Sequence, residues 1–285
     1  MELTMLHQVA EHHRILSNAE WLDMLKKSVK QPVIDGVKFP AFPSDEIQTQ
    51  FVGSANEATL GEAYNFYSLF KDYSEALGMP LSTSGKMLDF GCGWGRFLRF
   101  FWRDFKSENL VGVDTDPDII QLCRDLGVQA DLHQIAPSGR LPFPDATFTH
   151  IMAYSVFTHL PEHIQLHWLA ELSRVARPGC VFICTTEPRR FLDFIASIPA
   201  NAPSGWHAGL RNAAGDVSQL KARFDWGEFV FIPTGGGKHR DASIYGDAVI
   251  PETYIKETWG RFFEIRAYRD EPARFWQAIV VSRKP

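Results

Sequence analysis

The sequence predicts an α/β protein. Its core is a doubly wound, mostly parallel sheet ending in an antiparallel strand pair, with a helical cap before it and an insertion after the fifth strand. Three observations carry that prediction. From residue 86 onward, short apolar runs alternate with amphipathic ones, as βα units do. The first apolar run leads through Asp89 into a glycine-rich turn, Gly91-Cys92-Gly93-Trp94-Gly95-Arg96, and then into helical spacing. The chain closes with strand-like runs at 262–268 and 275–281 around Arg269-Asp270-Glu271-Pro272.

Residues 1–30 read as broken helix, with a restart at Ser17-Asn18-Ala19-Glu20, where a hydroxyl can cap and an acid follows. His7, His12 and His13 fall on that first segment and suit a solvated face, because no further metal ligand is evident beside them. Pro32, Pro40 and Pro43 with Gly36 make 31–44 an extended linker. An unusually aromatic helix follows at 60–77, carrying Tyr64, Phe66, Tyr67, Phe70 and Tyr73, and Gly78-Met79-Pro80 stops it. These rings suit core packing, with one or two able to face a cation. Strand one is 86–90 and its helix runs to about 105. Strand two is 110–113, followed by Asp114-Thr115-Asp116 and a helix opened by Pro117, with Asp116 as its cap.

Strand three is short, near 128–130. Strand four is 148–153, followed by Tyr154-Ser155-Val156-Phe157-Thr158-His159-Leu160 and a helix from Pro161 to about 176. On that helix Ile164, Trp168, Leu172 and Val175 mark the buried stripe, and His163 and His167 fall largely off it. Arg177-Pro178-Gly179 breaks the helix before strand five, 180–186. Residues 187–250 interrupt the alternation. They offer one helix near 191–198, a loop at 200–216, and short strands at 229–232 and 243–245 flanking Gly235-Gly236-Gly237-Lys238-His239-Arg240. There His239 and Arg240 could act as a lid on an acidic acceptor. A helix at 251–259 resumes the fold. The chain thus divides into a cap, 1–80, and a second domain, 81–285, with its insertion at 187–250.

A net charge of −5 and the lack of a basic stripe argue against a nucleic-acid partner. No basic, apolar leader opens the chain and no apolar run is long enough for a bilayer, so a cytoplasmic protein without a membrane partner is expected. Cys92, Cys123, Cys180 and Cys184 form no Cys-x-x-Cys pair and read as buried apolar residues, so no metal site is expected.

The turn is the chemical focus. It lacks the Gly-Lys-Ser/Thr of a P-loop and the spacing of the dinucleotide fingerprint. An acid directly before it, Asp89, would repel a pyrophosphate and welcome an ammonium group or a bound water. Asp114, at the end of strand two, suits the two hydroxyls of a ribose. The acid followed by Gly-x-Gly-x-Gly resembles the first motif of class I S-adenosylmethionine (SAM) dependent methyltransferases. The lead-in Leu141-Pro142-Phe143-Pro144-Asp145, the segment Ser155–Leu160 and the run Glu171–Cys180 also resemble small-molecule members of that family, in the same order. His150 departs from it, standing where the family often has Asp.

The resemblance implies a Rossmann-like fold, SAM as cofactor, and transfer of its methyl group to a small-molecule acceptor, with oxygen the first expectation. Asp89, Gly91, Cys92, Gly93, Gly95, Arg96, Asp114, Thr115, Tyr154 and Ser155 are then the expected cofactor-binding residues. His159 is the candidate general base, or alternatively a helix cap. Two other classes stay open: an NAD-dependent oxidoreductase, which shares the ribose acid, and a non-catalytic protein that keeps SAM as a structural or sensing ligand. The oligomeric state and the acceptor are not encoded in any readable pattern.

Overall fold

The computed structural model describes residues 7–199, 201–202, 205–236 and 241–285. The chain falls into two compact units, one comprising residues up to Ala136 with Thr147–Met152, the other Pro137–Ala146 with Ala153–Pro285. In the first unit four strands lie side by side in the order β6 (Phe148–Ala153), β3 (Met87–Phe90), β4 (Leu110–Asp114), β5 (Asp131–Gln134), and in the second three lie in the order β10 (Glu264–Arg269), β11 (Ala278–Arg283), β7 (Ala176–Thr186).

The first unit opens with α1 (Glu11–Arg14) and α2 (Asn18–Ser28). Ser17 and Glu20 form the expected reciprocal cap, each bonding the other's backbone N–H. The proline-bearing stretch is more ordered than a linker. Val33–Ile34 (β1) and Val37–Lys38 (β2) form a hairpin whose turn residues, Asp35 and Gly36, take φ of 51° and 75°. Asp-Gly is the residue pair such a left-handed two-residue turn selects. An additional helix, α3 (Asp45–Val52), is capped by Ser44 and ends on Gly53. The aromatic helix, α4 (Glu57–Ala76), buries Phe66, Tyr67 and Phe70. Phe66 meets Phe97, and both Tyr67 and Phe70 meet Phe101 edge-on, so these rings are core.

β3 (Met87–Phe90) is buried throughout, as a central parallel strand should be. It pairs in parallel with β4 (Leu110–Asp114) and β6 (Phe148–Ala153), and β4 pairs in parallel with β5 (Asp131–Gln134). Strand three therefore lies at 131–134 rather than 128–130. α5 (Arg96–Phe101) is shorter than its apolar spacing suggests, and turns carry the chain on to Phe105. α6 (Pro117–Asp125) starts as expected, with Asp116 capping the N–H of Asp118. His150 is a fully buried core residue. Its Nε2 donates to the Met79 carbonyl at 2.8 Å, and burial pushes its pKa down to about 4. The departure at this position is thus neutral and structural.

In the first unit three arginines fasten the N-terminal segment: Arg99 and Arg103, which carried no expectation, and Arg96, expected at the cofactor. Arg103 donates to the Leu16 and Ser17 carbonyls, to Asn18 Oδ1 and to the Tyr67 hydroxyl. Arg99 donates to the Pro40 and Ala41 carbonyls and lies over the Phe42 ring. Arg96 reaches Thr59 and Glu62 of α4. Buried guanidinium groups with several acceptors each are costly to strand, so these bonds hold the segment in place.

The second unit contains α7 (Glu162–Val175), with the predicted stripe buried, and β7 (Ala176–Thr186), which starts before the Arg177-Pro178-Gly179 break. Cys180 and Cys184 are both buried on it. The insertion holds α8 (Arg189–Ser197), α9 (Trp206–Ala214), α10 (Val217–Asp225), β8 (Val230–Ile232) and β9 (Asp247–Val249). The loop expected at 200–216 therefore contains a helix. β8 pairs with β9, and residues 243–245 form a turn instead of a strand. The insertion folds because it has its own core: Leu192, Ile195, Leu210, Val217, Val230 and Val249 pack together. α11 (Glu252–Thr258) precedes β10 (Glu264–Arg269) and β11 (Ala278–Arg283). β10 and β11 form the predicted antiparallel pair, with ends shifted by a few residues, and β11 also runs antiparallel to β7. Among the described residues no helix is long and apolar enough to cross a membrane.

Candidate functional site

The first unit gathers eight of the ten expected cofactor residues, all but Tyr154 and Ser155, around the carboxyl ends of β3 and β4, where ligands of such sheets bind. Gly91, Gly93 and Gly95 all have positive φ. At Gly95 (φ +79°) an added Cβ would stand 2.8 Å from Val128 Cγ2, so this position needs glycine on both counts. The turn spends its N–H groups internally. Gly91 and Cys92 donate to the Val113 carbonyl, Gly95 to Cys92, and Gly93 to Asp114 Oδ2 at 3.1 Å.

Its chemistry comes from carboxylates. Asp89 is 2% exposed, and its Oδ2 is buried without a hydrogen-bond partner. Burial, helped by the Asp114 charge and opposed by Arg96, pushes Asp89 up to about 8. A buried acid with an unsatisfied oxygen suits a cationic donor such as an amino-acid ammonium group. Asp114 accepts one N–H on each oxygen, from Gly93 and Asp116. A carboxylate at the end of a second strand is placed where ribose hydroxyls bind in such sheets. These features fit the methionine and ribose ends of SAM. Thr115 lies at the same strand end, its carbonyl accepting from Gln134. Cys92 is buried, and Cys123 Sγ contacts the Gly93 carbonyl. Arg96 points into α4, so its part in the cradle is electrostatic.

Tyr154, Ser155 and His159 belong to the second unit. Ser155 has φ of 57°, unusual for a residue with a side chain. Its N–H donates to Thr185 Oγ1 at 2.7 Å, and its Oγ accepts from Gln277 Nε2 at 3.0 Å. The same Gln277 nitrogen donates to Glu187 Oε1 at 3.0 Å. Burial pushes Glu187 up to about 8. His159 Nδ1 donates to the Gly246 carbonyl at 2.8 Å, which makes Nε2 the basic nitrogen of the neutral ring. Its ring stacks on Tyr245 at 4.7 Å, and the buried Asp247 carboxylate lies 3.7 Å from Nδ1. Desolvation raises Asp247, and His159 opposes that. Glu187, Asp247 and Gln277 escaped the sequence reading. Only Glu187, one residue past strand five, carried a positional signal. His163 is exposed, and His167 binds the Gly139 carbonyl. His239 and Arg240 lie outside the described residues.

Comparison with known proteins agrees with this geometry. A family described as "Methyltransferase domain" matches residues 88–184. The fatty-acid O-methyltransferase of Mycolicibacterium smegmatis is 31% identical over 45% of this chain and 46% of its own length. The malonyl-[acyl-carrier protein] O-methyltransferase of Serratia marcescens is 32% identical over 50% of this chain and 55% of its own. The chain thus spans about half the length of the curated relatives it matches. Among solved structures, an S-adenosylmethionine dependent methyltransferase from Mesorhizobium loti superposes with a TM-score of 0.51 at 14% identity, covering 74% of this chain and 96% of that one. The 1,6-didemethyltoxoflavin-N1-methyltransferase of Burkholderia thailandensis gives 0.50 at 13% identity, covering 98% and 93%. At such identities these structures speak for the fold. Fold, glycine turn and paired carboxylates agree with the family match: residues 88–184 resemble the methyltransferase-domain family, and the fold is that of the methyltransferase structures.

Proposed function

We propose that this protein transfers the SAM methyl group to an oxygen nucleophile of a small-molecule acceptor. The observation that carries the cofactor half is the unsatisfied, buried Asp89 beside a glycine turn, with Asp114 ending the next strand. When bound, SAM supplies an electrophilic methyl group. Asp89 receives the ammonium group, Asp114 the ribose hydroxyls, and the turn lets both approach the backbone. The two curated relatives named as O-methyltransferases support oxygen as the acceptor atom. His159 supports it too: its Nε2 can take a hydroxyl proton while Nδ1 stays bonded to the Gly246 carbonyl and the Asp247 carboxylate stabilises the resulting imidazolium.

The nicotinamide reading is disfavoured, because a pyrophosphate would meet Asp89 and a turn in which Gly91, Cys92, Gly93 and Gly95 already donate their N–H groups within the chain. A screen of metabolite pools with methyl-labelled SAM tests the proposal. Label should appear in a hydroxyl-bearing product and vanish with Asp114→Ala. Label that never leaves SAM despite tight binding would establish the non-catalytic alternative instead.

A further inference from the structure

The N-terminal segment holds a second cluster, remote in sequence from the glycine turn and unused by the chemistry above. His12 and His13 lie on α1, and the β1–β2 hairpin presents Asp35 to both. Each imidazole places Nε2 3.2 Å from the same oxygen, Asp35 Oδ2. The three ligand atoms lie within 4.8 Å of one another. Imidazole–carboxylate hydrogen bonds that carry charge run shorter, about 2.7–2.9 Å. With bonds to zinc of about 2.0–2.2 Å, the edge of a tetrahedron is about 3.3 Å, near the spacing seen here.

We propose that His12, His13 and Asp35 form a binding site for a divalent transition-metal ion, zinc foremost, that clips α1 to the hairpin. His12 and Asp35 have side chains 56% and 52% exposed, so an ion can enter from solvent and keep water in its remaining position. His13 is fully buried against Trp21 and Phe39, which fixes its ring. Its Nδ1 has no hydrogen-bond partner, so the ring proton that Nε2 gives to Asp35 in the metal-free chain can move to Nδ1 when Nε2 presents its lone pair to a metal. The same lack of an outer partner predicts modest affinity, because ligating histidines normally lean on one.

The test uses the full chain, chelator-treated and free of any histidine tag. Zinc chloride is titrated calorimetrically, and cobalt(II) is followed by visible absorption. One equivalent of either metal should bind, and cobalt should show a low-coordinate spectrum without a thiolate charge-transfer band. His12→Ala and Asp35→Asn should each weaken zinc by about tenfold or more. Both positions are exposed, so these variants keep the fold even if His13→Ala, which removes a buried ring, does not. Failure to bind one equivalent, binding unchanged in His12→Ala and Asp35→Asn, or a thiolate band reporting capture by the cysteines would overturn the site. None of these outcomes depends on methyl transfer.

Discussion

The proposed pairing of Asp89 with the SAM ammonium group predicts a pH dependence of binding that can be worked out in advance. In the ligand-free chain this acid titrates near 8, chiefly because it is buried and secondarily because Asp114 is close. An ammonium group is best met by the ionised form, so below 8 binding must first remove the proton. Apparent affinity then falls about tenfold for each pH unit below 8, so SAM at pH 6 should bind about 100-fold more weakly than at its plateau, a difference of about 2.7 kcal/mol. Binding at pH 7 should release close to one proton. Calorimetry at pH 6, 7 and 8, repeated in buffers of different ionisation enthalpy, measures both quantities. Asp89→Asn should bind weakly at pH 8 and lose both the slope and the proton release. A wild-type affinity flat between pH 6 and 8, or a slope surviving in Asp89→Asn, would refute the assignment of the ammonium group to Asp89.

Other perturbations follow from the same geometry. The folded pKa values of Asp89 and Glu187 lie above their unfolded values near 4. The folded chain therefore holds protons that the unfolded chain releases, and without ligand its stability should fall as pH rises from about 4 through 8. Thermal denaturation across that range checks the sign, and Glu187→Gln should flatten the curve. Gly95→Ala forces a Cβ to 2.8 Å from Val128 at a positive φ, and chemical denaturation should show a loss of about 1–3 kcal/mol. Arg103→Ala strands two carbonyls and two side-chain oxygens, and should cost about 2–4 kcal/mol while making the N-terminal segment sensitive to limited proteolysis. On the acceptor that the labelled-methyl screen identifies, His159→Gln should lower kcat by about 10²–10⁴-fold with SAM affinity unchanged.

The cofactor half of the protein is legible in one dimension because its physics is local. A buried parallel strand reads as a continuous apolar run, and a turn with three positive φ values needs glycines. A carboxylate at a strand end is placed by counting. The positive-φ glycines Gly91, Gly93 and Gly95, and the places of Asp89 in β3 and Asp114 at the end of β4, were legible this way. The errors fall where neighbours decide. Residues 206–214 are rich enough in small and polar residues to read as loop, yet form α9 because Leu210 and Ala214 join the core of the insertion. Residues 243–245 alternate like a strand, yet β8 pairs with 247–249. His150 looked like a lost edge acid and proves to be a buried, neutral packing residue.

By itself, then, the sequence determined the strand–turn–helix signature, the two acids that flank it, and the order of βα units, since each depends on residues within a few positions of one another. Tertiary structure alone decided what those residues experience. Desolvation leaves Asp89 with an unmet oxygen, and three arginines spaced along one short stretch clasp the N-terminal segment. Gln277 joins Ser155 to Glu187 from more than a hundred and from ninety residues away. His12 and His13 acquired a third potential ligand only when the Asp35-Gly36 turn brought it to them. Burial, and hydrogen bonds between distant parts of the chain, have no period in the sequence, which is why folding had to reveal them.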